Sequence, residues 1–251
     1  MNNLKTPKLT VVGAGPGDVE LITIKAIKVL ESADVVLYDA LVNEELLQYA
    51  ASAEHVFVGK RSGCHAYTQD QINELIVSMA YRYGHVVRLK GGDPFIFGRG
   101  TEEIDYVEKY GLATEVVPGI SSAMGVPVMA GISLTQRKIA DSFWVITGTT
   151  SNHELSKDIN LASKSAATVV ILMGMQKLEE IITIFQTNRT DDLPIAIIQN
   201  GTRDTEKKVV GNISSIAQLV AENNIASPAI IVIGEVVKNN AKLSSYFKET
   251  F

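Results

Sequence analysis

The most informative segment of the chain is Arg88-Leu89-Lys90-Gly91-Gly92-Asp93-Pro94-Phe95-Ile96-Phe97-Gly98-Arg99-Gly100. A strand predicted from His85 to Lys90 runs into two glycines, which permit unusual backbone angles and a close approach by a ligand. Asp93-Pro94 then turns the chain, because proline restricts the residue before it and cannot continue a helix. We therefore expect a small molecule to lie against this backbone, with Arg99 held near an anionic group.

The composition suits a globular protein with a sizeable core. The chain has 251 residues, of which 46% are hydrophobic, enough for one large domain or two small ones. A net charge of −5 and the lack of a long basic run argue against nucleic-acid binding. Residues 1–8 lack an apolar signal segment, and no apolar run is long enough to span a bilayer. We expect a cytoplasmic protein without a membrane partner.

Cysteine and histidine usage gives no indication of a metal site. Cys64 is the only cysteine, so neither an intrachain disulfide nor a cysteine-based zinc site can form. His55, His65, His85 and His153 lack the spacing of metal ligands. We therefore predict no metal and a reducing environment.

Strands and helices alternate along the chain, which indicates an α/β fold with a mainly parallel sheet. Thr68 and Gln71 have capping-box spacing and predict a helix that ends near Tyr83. The small and hydroxyl residues in the stretch 116–123 are expected to form another loop that can approach a ligand. The pattern changes near Thr135, so we predict two α/β domains, residues 1–135 and 136–251, with mainly parallel and mixed sheets. The strands are expected at 9–13, 34–38, 55–58, 85–90 and 114–117, then at 142–147, 167–173, 194–199, 207–210 and 229–233.

The first glycine-rich loop, Gly13-Ala14-Gly15-Pro16-Gly17-Asp18, begins like a nucleotide-binding unit. A dinucleotide would need free N–H groups at a helix N-terminus for its pyrophosphate. Pro16 removes one such donor, and Asp18 puts a negative charge where phosphate would lie. The loop therefore favours a ligand without phosphate.

Charged residues at the carboxyl ends of predicted strands are candidates for ligand binding and catalysis, because open α/β sheets bind ligands at those strand ends. Asp39 follows the second strand; its alternative role is to cap the next helix. Lys60-Arg61 either binds an acidic ligand or forms a solvated turn. Arg99 either contacts a ligand or pairs with Glu102 or Glu103 on its own helix.

Together the loops resemble the tetrapyrrole methylase family, and within it the branch that methylates uroporphyrinogen III. The resemblance extends from about Leu9 to Val237 and depends on the order and spacing of its motifs. These motifs are Val11-Val12-Gly13-Ala14-Gly15-Pro16-Gly17-Asp18, Tyr38-Asp39 with Leu41-Val42, Gly59-Lys60-Arg61, Arg88 through Gly100, Val117-Pro118-Gly119-Ile120, Met173-Gly174, Asn200-Gly201-Thr202 and Ser227-Pro228-Ala229.

The resemblance implies a homodimer of two-domain chains that bind S-adenosylmethionine in a cleft between the domains. The implied reaction is methylation of uroporphyrinogen III at carbons 2 and 7 to precorrin-2, for sirohaem or cobalamin. Asp39, Lys60 and Arg99 are expected to face the tetrapyrrole. The expected S-adenosylmethionine-binding residues are Pro16, Gly91, Asp93, Ile96, Ser121, Ser122, Met173, Ala196 and Gly201.

The chemistry of methyl transfer to carbon agrees with these implied roles. A pyrrole ring carbon becomes nucleophilic when its N–H gives up a proton, so a carboxylate base is needed, and Asp39 is the candidate. Asp93 would bind a ribose hydroxyl or the amine of the donor. The acidic substrate also needs cationic side chains nearby. Arginine suits this role, because its guanidinium can bind a carboxylate through two hydrogen bonds. The expected cations are Lys60, Arg61, Arg88, Lys90 and Arg99.

Two other interpretations remain open at this level. One is a related methylase that acts on a later corrinoid precursor or on a macromolecule. The other is a non-catalytic S-adenosylmethionine-binding module, which would be favoured if Asp39 and Arg99 pointed away from the ligand. On either interpretation we expect no fused dehydrogenase or chelatase domain.

Overall fold

The computed structural model describes residues 6–59 and 67–238. The described residues form two compact units, which divide between Ser121 and Ser122. This division lies earlier in the chain than the boundary expected after residue 135. The physical reason is the helix Ser122–Met129, whose buried side chains belong to a core of the second unit.

The first unit is built on a parallel sheet. Its strands are β1 (Lys8–Gly13), β2 (Val35–Tyr38), β3 (Glu54–Phe57), β4 (His85–Lys90) and β5 (Ala113–Val117). They follow the order β3-β2-β4-β1-β5, and every neighbouring pair is parallel. The carboxyl ends of all its strands therefore lie at one edge, as the alternation of strands and helices predicts.

Helices cover both faces of the first sheet. One face packs against α1 (Ile24–Glu31) and a 3-10 helix, Glu44–Ala50, and the other packs against α2 (Gln69–Tyr83) and α3 (Gly100–Glu108). A further 3-10 helix spans Val19–Leu21. Since both faces are buried, the central strands are apolar over most of their length.

The start of α2 confirms the predicted capping box. The Thr68 hydroxyl accepts a hydrogen bond from the Gln71 N–H, and the Gln71 side chain accepts one from the Thr68 N–H. The segment Glu44–Ala50 is a 3-10 helix, in which the Leu46 N–H donates to the Asn43 carbonyl, three residues earlier. At the start of each helix a side chain, that of Thr68 or Asn43, accepts a hydrogen bond from a backbone N–H that has no partner within the helix.

The second unit contains a mixed sheet. Its strands are β6 (Phe143–Thr147), β7 (Thr168–Leu172), β8 (Pro194–Gln199), β9 (Lys207–Asn212) and β10 (Ala229–Ile233), in the order β6-β7-β10-β8-β9. The strands β6 and β7 are parallel, whereas β10 is antiparallel to both β7 and β8, and β8 is antiparallel to β9. The predicted mixture of parallel and mixed sheets is thus confirmed.

Both faces of the second sheet also carry helices. One face packs against α5 (Asp158–Ala162), α6 (Leu178–Asn188) and α7 (Ile216–Glu222), and the other packs against α4 (Ser122–Met129). Two short 3-10 helices span Met175–Lys177 and Glu235–Val237. The loop expected within 116–123 is confirmed at 118–121, but it ends earlier than expected, since Ser122 is the first residue of α4. In the part of the chain that the structure describes, no helix is long and apolar enough to cross a membrane.

His85 begins β4 and makes the first sheet sensitive to pH. Its Nε2 lies 2.8 Å from the Thr10 hydroxyl oxygen, and its Nδ1 lies 3.1 Å from the Ser32 carbonyl oxygen. Burial lowers the pKa of His85 below its usual 6.5. The unfolded chain therefore takes up a proton before the folded protein as pH falls, so stability is full above the ordinary histidine pKa and declines below it.

We predict that the melting temperature decreases between about pH 7.5 and about pH 5.5, and that His85→Gln removes part of this decrease. Thermal denaturation followed by circular dichroism at several pH values measures the effect. The matched control is His153→Gln, at an exposed histidine, which should keep the wild-type slope. An unchanged slope in His85→Gln would show that His85 does not titrate differently in the two states.

Candidate active site

Three loops meet at the carboxyl edge of the first sheet, after the neighbouring strands β4, β1 and β5. Gly15 and Gly92 pair through their backbones, with N–H···O distances of 3.2 Å and 2.7 Å. A Cβ on Gly13 would lie 2.5 Å from the nitrogen of Gly119 and 2.6 Å from the oxygen of Gly92. Only glycine fits at this position, so the sequence of the first loop is required by the packing of the other two.

Asp93 ties two of these loops together through its carboxylate. One oxygen accepts a hydrogen bond from the Phe95 N–H at 2.9 Å, and the other accepts one from the Gly119 N–H at 3.1 Å. An ionised carboxylate has further lone pairs, so these bonds leave capacity for a ligand hydroxyl or amine. Asp93 therefore organises the loop whether or not it also contacts a ligand.

The loop backbone is poorly suited to phosphate. The N–H groups of Gly15, Gly92 and Gly119 all donate to protein oxygens. Anion-binding loops instead direct several free N–H groups at the ligand. This arrangement agrees with the expectation that the ligand at this edge lacks phosphate.

Exposed apolar side chains and left-handed backbone follow three of the strands. After β4, Phe95, Ile96 and Phe97 are exposed, and Phe97 has φ 54°. After β7, Met173 is exposed with φ 55°, and after β8, Asn200 and Thr202 have φ 49° and 69°. Non-glycine residues with positive φ are uncommon and concentrate at ligand-binding sites. These strand ends are therefore candidate ligand contacts.

Asp39 lies at the carboxyl end of β2 with a side chain that is 24% exposed. Its Oδ1 accepts a hydrogen bond from the Leu41 N–H at 3.0 Å, and its Oδ2 lies 3.6 Å from Nη2 of Arg88. The 3-10 helix that follows is capped by Asn43, whose side chain accepts from the Glu45 N–H. Asp39 is thus not the cap of that helix, and its carboxylate is partly open to solvent.

Arg88 and Lys90 do not face an acidic ligand, and that expectation is wrong. Both side chains are buried in the first unit, where they contact Glu103, itself 0% exposed. Arg88 Nε and Lys90 Nζ lie 3.2 Å and 2.8 Å from Oε1 of Glu103. Burial, followed by repulsion from Arg88, lowers the pKa of Lys90. The sequence places both cations on a strand buried on both faces, which requires a buried acid nearby.

Arg99 is the N-cap residue of α3, with φ 59°, and pairs with Glu102 one turn along the helix. Its Nε lies 3.0 Å from Oε1 of Glu102, and more than half of both side chains is exposed. Exposed pairs of this kind contribute about 1 kcal/mol or less. The pairing therefore leaves the guanidinium accessible, and a stronger anionic partner can replace Glu102.

The other predicted site residues occupy different environments. Pro16 is half-buried in the first loop, Ser121 is buried, and Ser122 begins α4. A Cβ on Gly201 would lie 2.7 Å from Cγ2 of Val126, so this loop packs tightly on α4. Ala196 is fully buried on β8 in the core beneath α4, and its assignment as a ligand contact stays a prediction.

The structure does not describe two of the predicted ligand-binding cations. Lys60 and Arg61 lie outside the described residues. Among residues 6–59 and 67–238, no group of three or more His, Cys, Asp or Glu side chains is arranged to hold a metal ion.

Known proteins share both the sequence and the fold. Residues 8–217 match the family of tetrapyrrole (corrin/porphyrin) methylases. The chain is 46% identical to a uroporphyrinogen-III C-methyltransferase of Methanocaldococcus jannaschii, over 92% of this chain and 97% of the relative. It is 44% identical, over 94% of its length, to a siroheme synthase of Chromobacterium violaceum, and it spans 51% of that protein.

A crystal structure of uroporphyrin-III C-methyl transferase from Thermus thermophilus, complexed with S-adenyl homocysteine, superimposes with a TM-score of 0.79. The match has 34% sequence identity and covers 92% of this chain and 99% of that one. The family match spans most of the sequence, and the alignment with the Methanocaldococcus jannaschii relative is nearly complete on both sides. The chain belongs to the tetrapyrrole (corrin/porphyrin) methylases.

Proposed function

We propose that this protein is an enzyme that transfers methyl groups from S-adenosylmethionine to uroporphyrinogen III. One observation in the first unit carries the proposal. The turn that contains Asp39 packs directly against the glycine-rich loop after β4, since a Cβ on Gly91 would lie 2.7 Å from Cβ of Leu41. A partly exposed carboxylate and a loop suited to a ligand without phosphate therefore lie side by side.

The first-unit residues fit a donor of this chemistry. Bound S-adenosylmethionine supplies a methyl group on a positively charged sulfur and carries no phosphate. The loop after β4 offers internally bonded backbone at Gly92, exposed apolar surface at Ile96 and a carboxylate at Asp93. We propose that Pro16, Gly91, Asp93 and Ile96 bind the donor, and that Ser121, Ser122, Met173 and Gly201 contribute further contacts.

Asp39 acts as the general base in this proposal. It accepts the proton of a pyrrole N–H, and the electron pair left on the ring raises the nucleophilicity of a ring carbon. That carbon forms a bond to the methyl carbon as the sulfur–methyl bond breaks, and the bonding pair stays on sulfur. The protein contributes mainly orientation and exclusion of water, because the donor is already activated by its charge.

Arg99 would bind a carboxylate of the tetrapyrrole in place of the carboxylate of Glu102. A guanidinium can hold a carboxylate through two parallel hydrogen bonds. Lys60 is proposed as a second cation on the strength of the family resemblance. The names of the relatives favour C-methylation of uroporphyrinogen III and a link to sirohaem. Methylation at carbons 2 and 7, to precorrin-2, is proposed on the strength of the family resemblance. A homodimer and a cytoplasmic location remain predictions of the same resemblance.

Incubation of the pure protein with S-adenosylmethionine and uroporphyrinogen III under anaerobic conditions tests the activity, and mass spectrometry should detect a doubly methylated product.

We predict that Asp39→Asn lowers kcat by about 10²-fold or more, because the base is lost. Arg99→Ala should mainly raise the KM of the tetrapyrrole. Both variants should keep the wild-type Kd for S-adenosylhomocysteine in calorimetry.

Asp105→Asn serves as the matched control, since Asp105 is exposed on α3 and has no proposed role. An absence of methyl transfer by wild-type protein that binds S-adenosylhomocysteine would contradict the proposed function. Loss of S-adenosylhomocysteine binding in the Asp39 and Arg99 variants would instead show that these residues belong to the donor site.

Asp93→Asn provides a separate test of the donor site. An amide can accept only one of the two backbone hydrogen bonds that the carboxylate accepts, so the loops after β4 and β5 should separate. We predict a decrease in the free energy of unfolding of about 1–3 kcal/mol, as for loss of hydrogen bonds to a charged group. Calorimetry should show a Kd for S-adenosylhomocysteine raised by about 10-fold. A wild-type Kd would place the donor away from this loop.

A further inference from the structure

A buried cluster of charges lies directly behind Asp39 in the first unit. It consists of Arg88 and Lys90 on β4 and Glu103 on α3, and Gln69 on α2 also contacts it. None of these side chains has a part in the chemistry described above. The inference drawn from this cluster rests on the proposed function, because it concerns the base of that reaction.

Arg88 connects the cluster to the strand that carries Asp39. Its Nη1 donates to the carbonyl oxygens of Leu37 and Leu89, at 3.4 Å and 3.0 Å, and its Nη2 lies 3.6 Å from Oδ2 of Asp39. The guanidinium therefore bridges the carboxyl ends of β2 and β4. Because the guanidinium is planar and rigid, its orientation determines where Asp39 meets a positive charge.

Glu103 fixes the orientation of that guanidinium from the other side. Its Oε1 accepts hydrogen bonds from Arg88 Nε, Lys90 Nζ and Gln69 Nε2, at 3.2, 2.8 and 3.2 Å. Its Oε2 is buried and has no hydrogen-bond partner among the described residues. All the cations thus converge on one oxygen, and Arg88 is held on the side of Glu103 that faces Asp39.

A contribution to folding stability does not by itself explain why these charges are buried. Replacing a buried ion pair by apolar side chains of similar volume is often neutral or stabilising. The formal charges of Arg88, Lys90, Glu103 and ionised Asp39 sum to zero, so Asp39 completes the balance of a cluster whose other members are buried. A role toward Asp39 accounts for both the position of the cluster and this balance.

We propose that Glu103 is a positioning residue for the methyl transfer, which holds Arg88 in place and thereby fixes the carboxylate of Asp39 for proton abstraction. Glu103 itself touches neither substrate. Without its charge, Arg88 would lose its main anionic partner and turn toward Asp39 or toward backbone carbonyls. The Asp39 carboxylate would then leave the geometry required for the proton transfer.

The test compares Glu103→Gln with Glu108→Gln, a matched substitution at an exposed residue of the same helix. We expect Glu103→Gln to lower kcat by about 10-fold or more, while the KM of the tetrapyrrole and the Kd for S-adenosylhomocysteine stay within about threefold. Glu108→Gln should match wild type in all three. A folded Glu103→Gln protein with wild-type kcat, or with kcat unchanged and KM raised, would overturn the proposal.

Arg88→Lys provides a second route, because it keeps the charge but not the planar fork that reaches Asp39. It should lower kcat to a similar extent without loss of donor binding. If both variants are shown by circular dichroism to be unfolded, the cluster is required for folding and the positioning role is rejected.

Crystal structures of wild type and Glu103→Gln separate this proposal from the proposed function, since they need no activity. The Asp39 carboxylate should move by about 1 Å or more in the variant, and an unmoved carboxylate would overturn the positioning role. Wild-type protein that fails to methylate uroporphyrinogen III, combined with a displaced carboxylate in the variant, would reject the proposed substrate and leave the link from Glu103 to Asp39 intact.

Discussion

Backbone atoms of three loops pack against one another at the carboxyl edge of the first sheet, and no Cβ fits at Gly13. Two hydrogen bonds between Gly15 and Gly92 and a carboxylate bridge from Asp93 to Gly119 hold these loops together. Because the N–H groups are used internally, the surface that remains favours a ligand without phosphate. The proposed methyl-donor site and the position of the Asp39 turn beside it both follow from this close packing.

The second constraint is electrostatic and comes from β4 itself. A strand buried on both faces has no solvent for a basic side chain, so Arg88 and Lys90 need an acid inside the unit. Glu103 supplies it from α3, and the excess positive charge is directed toward Asp39. One segment, Arg88 to Gly100, therefore contributes to the buried charge cluster, the loop that would hold the donor, and Arg99 at the start of α3.

The sequence predicts the strands well and the environment of charged residues less well. Buried parallel strands are mostly apolar runs, and two of them, β1 and β4, end at or directly before glycine, so their bounds are visible without a structure. The helix α4 was missed because Gly125 and Pro127 interrupt its pattern and small residues precede it. Residue type also placed Arg88 and Lys90 among the ligand-binding cations. Their burial depends on the contact with Glu103, which lies 15 residues after Arg88 and 13 residues after Lys90. No local sequence pattern predicts a contact over that separation.

A crystal structure of the protein with bound S-adenosylhomocysteine tests the central claim most directly. The account predicts that the sulfur lies in van der Waals contact, within about 4–5 Å, of the backbone from Gly91 to Asp93, with the Asp39 carboxylate on the same side of the first sheet. A ligand bound away from the loop after β4, or an Asp39 carboxylate on the far side of that loop from the sulfur, would contradict it.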